Sequence, residues 1–324
     1  MRLVLVELSR FFSRRAVVLL ILAAALLTVL VAGTTIWDSR PVSAEEMAQA
    51  RAQVQASVSQ PQFKRDLREC QQNPADFLGP DAVAGDCAPN LTPRPEYYLN
   101  RSTLSLDEER GDSGIAIVVI VTVLMIIAGT TFAGADWASG SMSNQLLFEP
   151  RRQRVWWAKA LAAFVGTGIS ALVLIVAFWL ALYLTAQSRG IDTGATVQEA
   201  IRWLAGRGVL LAAVAGLGGF ALTMLVRHTV GTLAILFAYA AGGEALLALL
   251  PIEHSGRFSP ASNVFAWIRD GVRVFDPSVT CTPTQQMCEQ QFHLSLTHGA
   301  TYLGILLVLA MGLSVFSFAR RDIP

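Results

Sequence analysis

The sequence predicts an all-α membrane protein with six transmembrane helices and both termini in the cytoplasm. Three observations lead there. The 324 residues are 53% hydrophobic and only 15% charged, whereas soluble domains are about a quarter charged. Six segments each carry about 20 largely apolar residues, enough to cross roughly 30 Å of hydrocarbon. The basic residues in the short loops fall on one side if all six segments cross. A mean hydropathy of +0.47 excludes a disordered chain and argues against a soluble enzyme. A net charge of +1 offers no electrostatic case for nucleic acid.

Residues 1–15 read as an interfacial helix. Val4, Leu5, Leu8, Phe11 and Phe12 fall near one face, with Arg2, Glu7, Arg10, Ser13 and Arg14 elsewhere. Such a helix can lie in the headgroup plane. The first span, 16–36, is uncharged. Its apolar core exceeds the 7–15 residues of a signal peptide and no convincing A-x-A cleavage site follows, so it is expected to remain as a span. Residues 37–112 form a large extracellular loop or domain. Within it 43–69 is expected to be helical with a break at Pro61, and 73–95 is rich in turn-forming residues. The second span is 113–133, the third 160–186, the fourth 204–226, the fifth 229–250 and the sixth 299–319. The extracellular stretch 251–298 carries Val264, Phe265, Trp267, Ile268, Val272 and Val274. This amphipathic run is too short to cross and suits a re-entrant or interfacial segment.

Arg2, Arg10, Arg14 and Arg15 precede the first span. Arg151, Arg152, Arg154 and Lys159 lie between the second and third, Arg227 between the fourth and fifth, and Arg320 and Arg321 after the sixth. The positive-inside rule puts all of them in the cytoplasm. The four cysteines, Cys70, Cys87, Cys281 and Cys288, all fall in the two outer loops. That suits disulfides in an oxidising compartment. Three pairings exist; Cys70–Cys87 and Cys281–Cys288 are favoured because each closes a short loop. Zinc is the weaker alternative, since no C-x-x-C pair accompanies His293 and His298.

Glu244 is the one acid inside a span, following Gly242 and Gly243. It lies about 22 Å along the fifth helix from Thr229. An ionisable group there is a candidate pathway residue; an outer-interface position, paired or hydrated, is the competing reading. Ala212, Ala213, Ala215, Gly216, Gly218 and Gly219 crowd the fourth span, and Gly129 and Gly134 sit in or beside the second. They predict close helix packing.

The stretch 134–159 is the most informative. It contains Asp136, Gly140, Ser141, Met142, Leu146, Leu147, Pro150, Arg151, Arg152 and Lys159. Met142, Leu146 and Leu147 have helical spacing, and Pro150 stops that helix. A basic run with Trp156 and Trp157 then anchors the return to the membrane. This order resembles the ABC-2 type of ABC transporter permease: an acid, a glycine with a small hydroxyl residue, a short helix ending Leu-Leu, a proline, an arginine and a lysine before the next span. That family usually has Glu where Asp136 stands.

The resemblance implies that residues 140–147 dock on a separate ABC ATPase subunit, oriented by Asp136 and Arg151 or Arg152. It implies a second permease subunit, identical or homologous. No cofactor is expected on this chain, with ATP and Mg bound by the partner ATPase. The apolar spans, with little polar lining, fit a hydrophobic or amphipathic substrate; the resemblance implies its export across the plasma membrane, a bacterial inner or cell membrane, with lipid as the remaining partner and no nucleic acid. The residues independently exclude a standard nucleotide loop. A P-loop needs Gly-Lys followed by Ser or Thr, and neither lysine, Lys64 nor Lys159, follows glycine. No H-E-x-x-H is present, so enzymatic activity of its own is not expected. The alternative is a membrane-anchored sensor or scaffold whose disulfide-bonded outer loops bind a ligand or partner.

Overall fold

The structure, a computed structural model, describes residues 2–79, 82–99, 103–249, 254–276, 279 and 290–320. Its helices run in the order α1 (Arg2–Ser13), α2 (Arg15–Asp38), α3 (Ala44–Ser59), α4 (Pro61–Gln72), α5 (Pro74–Leu78), α6 (Ala84–Leu91), α7 (Leu106–Gly111), α8 (Ser113–Ala138), α9 (Ser141–Phe148), α10 (Arg152–Ser188), α11 (Ala195–Val226), α12 (Thr229–Phe237), α13 (Gly243–Leu249), α14 (Pro260–Arg269) and, after a β-hairpin, α15 (Leu296–Arg320). The chain divides into two compact units, Met1–Gly33 with Leu106–Pro324, and Thr34–Ser105.

In the larger unit six helical stretches are long and apolar enough to cross a membrane: α2, α7–α8, α10, α11, α12–α13 and α15. The chain is therefore a multi-pass, helical membrane protein. The third and fourth stretches extend well beyond their apolar centres, α10 beginning at Arg152 and α11 at Ala195. Half of each apolar window in α8, α10 and α11 is buried, whereas α2, α12–α13 and α15 are mostly exposed along their apolar faces. On α2 a single stripe, Val17, Ala24, Thr28 and Ala32, is buried.

α8 and α11 approach closely. A Cβ on Gly129 would lie 2.0 Å from the Gly216 carbonyl oxygen, so the backbones touch where neither residue has a side chain. Small residues at such positions let van der Waals packing hold helices together in lipid. Around this pair Phe11, Phe132, Trp156, Phe220, Met224 and Phe318 make a buried cluster. Trp156 donates its indole N–H to Ser314 Oγ at 3.0 Å, tying α10 to α15.

The fifth span is not one regular helix. α12 passes through a π-turn at Ala238–Gly242 before α13, and π-bulges loosen a helix locally. Its N-terminus is capped by His228, whose Nδ1 accepts from the Gly231 N–H at 3.1 Å. The amphipathic segment also divides. Only α14 is helical, and it ends at Asp270 in the left-handed region (φ 65°). Val272 and Val274 instead lie on strand β1 (Val272–Phe275), which pairs antiparallel with β2 (Gln291–Leu294) in the register Val272↔Leu294. Gly271, with φ +111°, makes the turn between helix and strand that an L side chain would oppose.

In the smaller unit α3 begins with a capping box. The Ser43 side chain accepts from the Glu46 N–H, and Glu46 accepts from the Ser43 N–H. Pro61 begins α4 at its first turn, where its missing N–H costs nothing. The turn-rich stretch nevertheless forms two short helices, α5 and α6, and a disulfide between Cys70 and Cys87 staples α4 to α6. The expected pair Cys281–Cys288 lies outside the described residues.

Candidate functional site: a buried ion network beneath an exposed helix

The end of α8, the start of α10 and the N-terminal helix α1 meet at one end of the bundle. Each brings a charge. Asp136 arrives two residues before the end of α8, and Lys159 arrives two turns into α10. Glu7 comes from the middle of α1. All three are fully buried.

Lys159 Nζ donates to Asp136 Oδ2 at 2.6 Å and to Glu7 Oε2 at 2.8 Å. Arg14 donates through Nη2 to Asp136 Oδ1 and through Nη1 to the Phe132 carbonyl, the latter at 2.9 Å. Two carboxylates thus face two fully or largely buried cations, and the group is neutral in sum. A partly exposed Arg10 adds a further contact to Glu7 Oε1 at 3.2 Å. Buried charges survive only when paired and hydrogen-bonded. The ring of Phe132 lies beneath both cations, 5.1 Å from the Arg14 guanidinium carbon and 5.6 Å from Lys159 Nζ.

The network holds α9. Gly140 takes the left-handed conformation (φ 66°), which reverses the chain directly after α8 and favours glycine. Ser141 Oγ then donates to Asp136 Oδ1 at 2.6 Å, and Gln145 Nε2 donates to Glu7 Oε1 at 2.5 Å. One face of α9 is thereby pinned to both acids. Met142 on that face is buried, and Leu146 packs against the aromatic cluster. The opposite face is apolar and open: Leu147 is 81% exposed and Phe148 is 91% exposed. Leu146 and Leu147, neighbours in sequence, therefore serve different surfaces.

After α9, Glu149 pairs with Arg154 at 3.3 Å across the exposed Pro150 and Arg151. Arg151 supplies the backbone carbonyl that accepts the Arg154 and Val155 N–H groups at the start of α10; Arg152 is the first residue of α10. Asp136 makes its ion pairs with Arg14, between α1 and α2, and with Lys159 of α10. Glu7 and Arg14 belong to the site although their roles were not foreseen. Glu7 is spaced four residues from Phe11 and seven from Arg14, which put all three on one helical face. By sequence Glu7 falls off the apolar face of an interfacial helix. In the fold the face of Glu7, Phe11 and Arg14 turns to the bundle, while Leu5 is 66% exposed. Gly166 on α10 makes room: a Cβ there would lie 2.6 Å from Phe11 Cδ1.

Glu244 lies elsewhere, at the start of α13. Its Oε1 accepts from Ser259 Oγ at 2.7 Å and from the Ala261 N–H at 2.9 Å. Ser259 is the N-cap of α14 and Ala261 lies in its first turn. The carboxylate thus meets orphan donors at a helix N-terminus, where negative charge is favoured. Among the described residues no group of three or more His, Cys, Asp or Glu is placed to hold a metal ion.

No family model, curated protein or solved structure matches this chain.

Proposed function

We propose that the chain is the membrane permease subunit of an ATP-driven exporter of the ABC-2 type. Its site is α9, which docks on a separate ATPase subunit. The observation that carries this reading is the pairing of two opposite properties in eight residues. One face of α9 is fixed by Asp136 and Glu7 to three elements of the bundle. The other face offers Leu147 and Phe148 to a partner. A rigidly seated helix with an exposed aromatic and aliphatic pair is what a docking element requires.

The charge distribution supports the orientation. Arg10, Arg14, Arg151, Arg152, Arg154 and Lys159 gather around α9, which is then the cytoplasmic end. ATP and Mg bind in the partner ATPase. A force on α9 reaches α1, α8 and α10 through Ser141, Gln145, Asp136, Glu7 and Lys159. Two such subunits, identical or homologous, would enclose the route of a hydrophobic or amphipathic substrate. The bonding of Glu244 to α14 favours a seat for that helix over a pathway group.

The test is co-purification. The double change Leu147→Asp and Phe148→Asp should abolish recovery of an ATPase subunit with the chain while leaving the chain's own melting unchanged. ATPase binding that survives the double change contradicts the docking assignment.

A second reading, a sensor or scaffold in the plasma membrane, draws on one observation: residues 34–105 form their own compact unit with a disulfide. Under it the chain purifies without an ATPase and deletion of that unit abolishes function.

A further inference from the structure

We infer that the groove between the start of α10 and the end of α15 is a binding site for one phospholipid of the adjoining leaflet. The inference stands independently of the transport reading. The groove encloses about 590 Å³ and runs along α15 from Val308 to Arg320, with Gln153 and Trp157 of α10 as the facing wall. Twelve residues of helix span about 18 Å, which matches one leaflet: half of the roughly 30 Å hydrocarbon core plus the start of the headgroup region.

The two ends differ chemically in the way a phospholipid does. The deep end is apolar, from Val308 past Gly312 to Phe316. Nothing lies within 4 Å of where a Gly312 Cβ would stand, so the missing side chain leaves room for an acyl chain. The shallow end gathers the polar groups: Arg320, Gln153 and the half-exposed indole of Trp157. Tryptophan and arginine sit at headgroup level in membrane proteins. Among the described residues no acidic side chain lines the groove, and Arg320 places a cation at its mouth that suits a phosphodiester. Arg320 is held over the Phe316 ring, 4.2 Å from its centroid, which fixes the cation at the mouth.

One arginine near a surface attracts anionic lipid by about 1 kcal/mol, roughly a fivefold preference. The test is native mass spectrometry of the full chain released from nanodiscs of mixed phosphatidylglycerol and phosphatidylcholine. One phospholipid per chain should remain bound, enriched in phosphatidylglycerol. Gly312→Leu fills the groove and should remove the adduct. Gly33→Leu, an equally open site on α2, should keep it. Arg320→Gln should keep a lipid but lose the enrichment. Equal lipid retention in Gly312→Leu and Gly33→Leu overturns the inference, as does enrichment unchanged by Arg320→Gln. High-yield disulfide dimerisation of a Val308→Cys variant in membranes would also overturn it, by assigning the groove to a second copy.

Discussion

Lys159 and Asp136 lie 23 residues apart in sequence, on two different membrane-spanning stretches, yet their side chains meet at 2.6 Å in full burial. Glu7 completes the contact from the N-terminal helix. Removing the cation would leave two buried carboxylates with only Arg14 and the partly exposed Arg10 as counter-charges. Lys159→Met is therefore expected to destabilise the purified chain by about 3–5 kcal/mol, the cost of breaking a buried ion pair from one side. Adding Glu7→Gln leaves Asp136 with Arg14, a neutral pair. The double variant should melt above Lys159→Met alone. Melting at or below the single variant in a thermal unfolding series would show that Glu7 and Lys159 are not coupled in this way.

The two faces of α9 predict opposite phenotypes for neighbouring residues. Leu146→Asp puts a charge against the aromatic cluster and should lower yield and melting temperature. Leu147→Asp changes a side chain that is 81% exposed and should leave both unaltered. Size-exclusion profiles and melting curves of the two variants decide it; equal damage would mean that α9 is not seated as described.

The contact of Gly129 with Gly216 predicts a steric effect. A side chain at residue 129 meets backbone, which cannot yield, and overpacking costs about 1–3 kcal/mol or more. Gly129→Val should reduce folded protein in the membrane sharply. Gly304→Val, at an open position on α15, should not. Comparable yields of the two would argue against the α8–α11 packing.

Much of this was legible in the chain. Six apolar segments and the helix between Asp136 and Pro150 could be read from hydropathy and spacing. So could the small residues of α11, whereas Lys159 stood out only through the family resemblance. What the sequence hid has a common physical cause. Glu7 gave no sign of burial because its partners, Gln145 and Lys159, are 138 and 152 residues away; local pattern carries no trace of such a contact. Likewise Leu146 and Leu147 are equivalent by composition, and only the roll of α9 on the bundle separates them. Val272 and Val274 continued an amphipathic run, but Gly271 released the chain into a strand whose partner lies beyond the described gap.

Glu244 makes a further separation possible. Its carboxylate bonds to Ser259 and to the Ala261 N–H. Glu244→Gln retains an acceptor and loses the charge at a helix N-terminus, worth about 0.3–1 kcal/mol. A slightly lower melting temperature with transport unchanged is expected. Transport abolished in a normally folded Glu244→Gln protein would return this residue to the pathway.

On the proposed function, α9 docks on an ATPase. The most direct measurement replaces Phe148 with a photo-crosslinking amino acid in the full chain, irradiates intact cells and identifies the product by mass spectrometry. A cross-link to a subunit carrying a P-loop is expected, absent when the same group replaces the buried Met142. A chain that cross-links at residue 148 only to lipid, or to proteins without a nucleotide-binding loop, would contradict that docking.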